Sequence, residues 1–255
     1  MSADTKVSIV MPVFNVAANP RLREYLAVAM ESILLQDFAS WELIAVNDGS
    51  SDDTGRLLDA WAKRDCRIHV CHLEKNGGIA NAINQGVAAS RGKLIARMDA
   101  DDISVPYRLS LQADFLGQHP EVGIVGSHMY VISEHSQVIM QVSRPQLHED
   151  ILRFCVELGC PFVHGSVMMR RSLFQQVGGY STDHEWDYCE DFEMWYRVLS
   201  AARGHNLQEP LYCYRQHSSS ISQTKAEKQA IATEKVIRMF RNRLEANLIA
   251  TKSAA

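Results

Sequence analysis

The chain has 255 residues, 46% of them hydrophobic and 22% charged, with a formal net charge of −4. These values suit one large α/β domain or two small ones, and the mild acidity removes the electrostatic argument for a nucleic-acid partner. No apolar run approaches the ~20 residues of a membrane span and no signal-like apolar stretch opens the chain. With six scattered cysteines and no CxxC pair, the expectation is a cytoplasmic protein with reduced thiols.

The first half alternates strand and helix patterns. Val7 to Met11 reads as a short apolar strand ended by Pro12. After Pro20, Leu22, Leu26, Ala29, Met30, Ile33 and Leu34 recur at helical spacing. Trp41 to Val46 reads as a second strand and stops at Asn47-Asp48-Gly49-Ser50. Asp52 or Asp53 can cap the next helix, whose apolar face is Leu57, Leu58 and Trp61. Ile68 to Leu73 is a third strand, Asn76-Gly77-Gly78 opens a helix through Ala89, and Lys93 to Met98 is the fourth strand. This alternation argues for βαβ units and a mainly parallel sheet, with the polar loops at Asn15, Asn47 to Ser51 and Asp99 to Asp102 converging on one crevice.

Beyond Asp102 the pattern changes. A helix is expected from Val105-Pro106 through Leu116, a long strand from Val122 to Ile132, and an irregular hairpin from Ser133 to Arg144. Phe162 to Met169 reads as a strand, Arg171 to Val177 as a short helix stopped by Gly178-Gly179, and Glu190 to Leu199 as a helix. Leu211 to Tyr214 reads as a last short strand. From Thr224 onward the chain is helical, with Ile237, Phe240, Leu244 and Leu248 in one stripe. That stripe suits packing on its own domain or a homodimer contact. Arg238, Arg241 and Arg243 also allow peripheral membrane contact, diluted by Glu227, Glu234 and Glu245.

The densest chemistry lies at Asp99-Ala100-Asp101-Asp102. Three carboxylates in four residues at a strand's end repel one another unless solvated or neutralised, and a D-x-D turn there suits a hard divalent ion holding phosphate oxygens. Taken alone the tripeptide also fits an ordinary acidic turn.

The order of motifs is more specific than any one of them. Val7 to Asn15 is followed by Val46-Asn47-Asp48-Gly49-Ser50-Ser51-Asp52-Asp53-Thr54, Asn76-Gly77-Gly78, the Asp99 to Asp102 cluster, Gly178-Gly179-Tyr180, Glu190-Asp191-Phe192-Glu193-Met194-Trp195 and Tyr214-Arg215-Gln216-His217. In this order the chain resembles the family 2 glycosyltransferases over about residues 6 to 220. The resemblance implies the GT-A fold, a mainly parallel Rossmann-like sheet flanked by helices. A nucleotide-binding half would occupy about 1–102, an acceptor half about 103–220, and a helical extension 221–255.

It also implies an inverting, metal-dependent transfer from a UDP- or dTDP-sugar to a glycan or lipid-linked acceptor, at the inner face of the membrane or free in the cytoplasm. Carried over by position, Pro12, Phe14 and Asn15 border the nucleotide. Asp48 accepts from a pyrimidine imide N–H, with Asn47 where many relatives have an acid, and Asn76 and Gly77 line the same half-site. Asp99 reaches the ribose or the metal's water shell. Asp101 ligates Mn²⁺ or Mg²⁺, and His217 is a further metal or diphosphate contact. Glu190-Asp191 offers the base that takes the acceptor proton, with Asp191 the favoured member and helix capping the alternative role. Trp195 and Tyr196 fit core packing better than an acceptor face. His164 and Arg170 near the acceptor side are left open, and Glu193 reads as solvated or Arg-paired.

Other classes fit less well. A non-catalytic nucleotide-sugar sensor would not need the intact acid pair. A dinucleotide oxidoreductase would need G-x-G-x-x-G after the first strand, where the chain has Pro12-Val13-Phe14-Asn15. A nucleotidyltransferase would want a glycine-rich basic loop there.

Overall fold

The computed structural model describes residues 6–217 and 225–253. Four strands, β1 (Val7–Val13), β2 (Trp41–Asn47), β3 (Ile68–His72) and β4 (Leu94–Arg97), alternate with helices α1 (Pro20–Leu34), α2 (Thr54–Ala62) and α3 (Gly78–Ala89). Then come β5 (Ile103–Ser104), α4 (Arg108–Gln118), β6 (Val122–Ile132), β7 (Val138–Val142), α5 (His148–Glu157) and β8 (Met168–Arg170). Last are α6 (Arg171–Gln176), α7 (Glu190–Ala201), β9 (Arg203–Arg215) and α8 (Ala226–Ser253).

Among the described residues, all nine strands join one sheet in the order β3-β2-β1-β4-β8-β6-β9-β5, with β7 on β6. The β3-β2-β1-β4 section is parallel, as expected. The remainder is mixed: β8 runs antiparallel to both β4 and β6, whereas β6 and β9 pair in parallel. The central sheet is therefore mainly parallel, as expected, with antiparallel pairings where β8, β7 and β5 join it.

Side chains alternate across the sheet because successive Cβ atoms in a strand point to opposite faces. Ile9, Met11, Leu43 and Ala45 pack with α1, α2 and α4. Val10, Ile44 and Val46 pack on the other face with α3, α5, α6, α7 and α8. Burial on both faces explains why β1 and β2 read as continuous apolar runs.

The strand ends differ from expectation in instructive ways. Pro12 does not end β1; it pairs opposite Val46. The Val10 carbonyl accepts from Met98 N–H on the β4 side. Pro12, two residues on, faces that same side beyond the end of β4, so its missing N–H breaks no ladder. Phe162 to Met169 is mostly not strand: a single 3-10 turn at His164–Ser166 precedes the three-residue β8. The short strand at Leu211 to Tyr214 is the end of the 13-residue β9. Its polar sequence and Pro210 hid it, and Pro210 sits where the β6–β9 register shifts. β5 and α5 were also not expected.

Helix ends follow capping chemistry. The Asn19 side chain accepts from Arg21 and Leu22 N–H, with Pro20 in the first turn of α1. At α2 the working residue is Asp52, which accepts from Thr54 N–H at 3.0 Å, whereas the Asp53 side chain caps nothing. Gly178 and Gly179 both have positive φ after α6, the backbone state that only glycine adopts without strain. α8 covers its own domain. Val236 and Phe240 are buried, and the Phe240 ring stacks on Phe192 at 5.6 Å and meets Tyr196 edge-on at 5.1 Å. Ile237 and Leu244 are half-buried; the side chain of Leu248 lies outside the described residues. Arg241 and Arg243 donate to the carbonyls of Val156 and Ser200. Phe240→Ala should therefore cost about 3–5 kcal/mol, the usual loss for a buried Phe truncated to Ala, read as a lower urea midpoint.

Candidate functional site

The C-terminal ends of β1, β2 and β3 carry three loops that are tied together. Asn15, with φ 48°, donates its backbone N–H to Ser50 Oγ (3.0 Å), and its side-chain oxygen accepts from Ser51 N–H (2.9 Å). Asp52 Oδ2 accepts from Ala18 N–H at 2.8 Å. The Asp48 carboxylate accepts from Gly77 N–H (2.9 Å), Gly78 N–H (3.0 Å) and Asn76 Nδ2 (3.0 Å). A carboxylate has about four acceptor positions, so Asp48 retains room for one more donor. Gly49, with φ 62°, lies so close to the backbone of Lys75 and Asn76 that a Cβ would collide with it. Phe14 is exposed at the rim. Asn15, Asp48, Asn76 and Gly77 thus form one polar shelf beside Phe14.

The acidic turn follows β4. Arg97, almost fully buried, forms an ion pair with Asp99, and Asp99 N–H donates to the Tyr212 hydroxyl at 3.0 Å. Asp102 Oδ1 accepts from Arg215 N–H at 2.7 Å. Burial, with Asp101 and Asp99 adding like charge, pushes the Asp102 carboxyl well above the usual range. Arg215 in turn donates Nε–H to the Asp101 carbonyl at 2.8 Å and stacks its guanidinium on the Tyr25 ring. That clamp leaves the Asp101 side chain half-exposed, 2.9 Å from His217 Nε2.

Asp101 and His217, 116 residues apart, meet at one point. Among the described residues no third His, Cys, Asp or Glu completes a ligand cluster. One carboxylate plus one imidazole, with the remaining positions left to phosphate oxygens and water, fits Mg²⁺ or Mn²⁺. Asp99 is committed to Arg97, which favours its ribose or outer-sphere role over direct ligation.

The third group lies at the start of α7. Asp191 Oδ1 accepts from Phe192 N–H at 2.7 Å, and Cys160 Sγ lies 3.6 Å from Oδ2. Burial, then the neighbouring Asp191, pushes the Glu190 carboxyl up to about 7, and burial raises Asp191 as well. His164 Nε2 lies 2.9 Å from the Tyr180 hydroxyl. Burial, then the Arg97 charge, holds this imidazole well below its ordinary value.

The model of glycosyl transferase family 2 matches residues 8–178, more than half of the chain. The chain belongs to this family. Relatives include the glycosyltransferase EpsE of Bacillus subtilis, 33% identical over 226 residues that cover 86% of this chain and 76% of EpsE. Staphylococcus aureus TarS in complex with UDP-GlcNAc superposes with a TM-score of 0.67 at 19% identity, over 93% of this chain and 72% of that one. The Pyrobaculum calidifontis mannosyltransferase PcManGT, bound to GDP-Man and Mn²⁺, gives 0.65 at 20% identity, over 93% and 65%. These superpositions show the expected GT-A fold, and this family 2 member is a glycosyltransferase. The matched segment ends before Glu190, Asp191 and His217.

Other residues sort plainly. Trp195 is core, among Phe162, His164 and Tyr180, and Tyr196 packs on Phe240. Arg170 holds the carbonyls of Leu116, His119 and Val122, a structural task. Glu193 is paired with Arg197. Sequence reasoning missed Arg97, Tyr212 and the His164–Tyr180 contact. Arg97 had a signal: it is the sole charged residue in the apolar run Leu94 to Met98, and a cation in a buried strand demands an acidic partner.

The depressed His164 pKa fixes a sign. Unfolded chains bind a proton at this histidine below about pH 6.5 while the folded state does not, so its contribution to stability is full above that value and lost as pH falls. Wild type should lose up to about 1.4 kcal/mol per pH unit from this group below pH 6.5. His164→Gln should flatten that slope in urea titrations run from pH 7.5 to 5.

Proposed function

We propose that the chain transfers a sugar from a UDP- or dTDP-sugar to a hydroxyl of a glycan or lipid-linked acceptor, with inversion and with Mn²⁺ or Mg²⁺. The observation that carries this reading is the meeting of Asp101 and His217 beside a polar nucleotide shelf. The raised Glu190–Asp191 carboxyl pair supplies the remaining function. TarS was solved with a UDP-sugar and PcManGT with a GDP-sugar; what supports a pyrimidine here is the Asp48 carboxylate, which can accept from one more donor.

Asp48, Asn76 and Gly77 hold the base, with Pro12, Phe14 and Asn15 at its border and Asp99 toward the ribose. Asp101 and His217 would hold the ion, which when bound offsets the charge that builds on the leaving diphosphate. The acceptor oxygen forms the new bond to the anomeric carbon as the bond to the diphosphate breaks. Its proton passes to Asp191, oriented by Phe192 N–H, with Glu190 as coupled partner. Like charge makes the doubly ionised pair the stronger base, so kcat/KM should fall as pH drops through about 7, where Glu190 takes up a proton.

A thermal-shift series with UDP, dTDP and GDP, each with Mn²⁺ or with EDTA, tests the donor side. UDP or dTDP with Mn²⁺ should raise Tm, EDTA should remove the shift, and a response to GDP alone would contradict the role given to Asp48. Asp101→Asn should weaken UDP binding only when Mn²⁺ is present. Asp191→Asn should keep UDP–Mn²⁺ binding while turnover falls about 10²–10⁴-fold. Full turnover in that variant would remove the base assignment.

A further inference from the structure

The free edges of the sheet are not alike. At one end lies β3, whose Ile68, Val70 and Cys71 pack into the two cores, and at the other the two-residue β5. β7 is the third edge. It pairs with β6 along one side, and among the described residues no strand lies along the other. Val138, Ile139 and Met140 are 61%, 55% and 53% exposed, and Gln141 is exposed as well. Successive side chains of a strand point to opposite faces, so β7 bares apolar groups on both faces and a row of backbone N–H and C=O groups along its edge.

Such edges are ordinarily blunted by charge, proline or a bulge. Between Glu134 and Arg144 the chain has no Asp, Glu, Lys, Arg or Pro. The register shift, between Val131 and Ile132, falls toward the turn, and Met140 to Val142 keep regular register with Met129 to Val131. The hairpin is also fixed in place. Arg215 Nη1 donates to the carbonyls of Ser133 (3.1 Å) and Glu134 (3.4 Å) and to Ser136 Oγ (2.9 Å), and Glu134 forms an ion pair with Arg21 of α1. A strand held in this way is a ready template, because little order has to be imposed on it when a partner binds.

The chemistry of the edge selects its occupant. Unpaired backbone groups take another strand, which a bilayer does not offer, and residues 135–143 carry no Lys or Arg to meet anionic lipid. The matching strand in this chain is β7 itself. Two copies running antiparallel set uncharged residues opposite one another throughout and bring Glu134 of each toward the Arg144 end of the other, whereas a parallel pair would set like charges together.

We propose that β7 is a homodimer interface, two copies joining edge to edge about a two-fold axis into one continuous sheet. Five residues with three bare apolar side chains make a small contact, so the dimer is weak and depends on concentration. The proposal is independent of the donor and acceptor assigned above.

Sedimentation velocity of the full chain, from about 1 to about 300 µM, tests it. The wild type should pass from monomer to dimer. Ile139→Lys combined with Met140→Lys, both at exposed positions, should stay monomeric throughout and keep the Tm of the wild-type monomer, because edge lysines block strand pairing. Leu158→Lys, at an apolar residue 71% exposed on α5's C-terminal end, should dimerise like the wild type. Hydrogen exchange needs no variant: wild-type amides within 138–142 should exchange severalfold more slowly at the higher concentration, with α8 unchanged. A wild type that stays monomeric, a dimer that survives the double substitution or is lost equally in Leu158→Lys, or protection that arises on α8 instead overturns the proposal. So does a monomeric wild type that floats with phosphatidylglycerol vesicles and loses flotation in the double variant, which would make the edge a membrane contact.

Discussion

Carboxylates gathered at the end of a sheet repel one another, and much of this fold is arranged around that repulsion. Asp99, Asp101 and Asp102 stand within four residues of chain, with Asp99 and Asp102 in surroundings that favour their neutral forms. Each has a different answer. Asp99 is paired with a buried guanidinium, Asp102 is held by a backbone N–H, and Asp101 is left half-exposed beside an imidazole. Three carboxylates within four residues of chain thereby acquire three different surroundings. Proximity to opposite charge and degree of burial, more than residue type, make that division.

The two halves of the sheet contribute unlike things. The parallel half delivers loops rich in backbone donors, the natural partners of a nucleotide. The mixed half delivers long-range contacts. β9 brings Tyr212 to the backbone of Asp99 and Arg215 to Asp101 and Asp102, and leads into His217 beside Asp101. Its parallel pairing with β6 fixes where those residues arrive, and the register shifts at Ser127–Met129 accommodate Pro210 on the way.

The sequence disclosed the parallel half well because strands buried on both faces are apolar runs bounded by polar turns. β2 was legible for that reason, α1 by the helical spacing of its apolar residues, and β6 was matched end to end. Where pairing rather than composition makes the strand, legibility failed: β9 is polar for most of its length, and β8 spans three residues. Motif order singled out Asp48, Asp101, Asp191 and His217 as candidates, yet it could not show that Gly77 and Gly78 donate to the Asp48 carboxylate. Arg97 was visible as a charge in an apolar run, but its burial beside Asp99 is an outcome of packing.

The close passage of Gly49 against Lys75 and Asn76 has a bearing on how such a site can diversify. With Asp48 fastened to the 76–78 segment and Asn15 fastened to Ser50 and Ser51, the three loops form a single rigid plate. A change of base preference cannot then be made one loop at a time, since any replacement at Asp48 also loosens the ledge on which the base would rest. New donor preferences are more accessible on the segments from β8 to α7, which are tied through Tyr180 and Arg171 to Asn84 and Val87 farther along α3 and to Ser90 and Gly92 beyond its end.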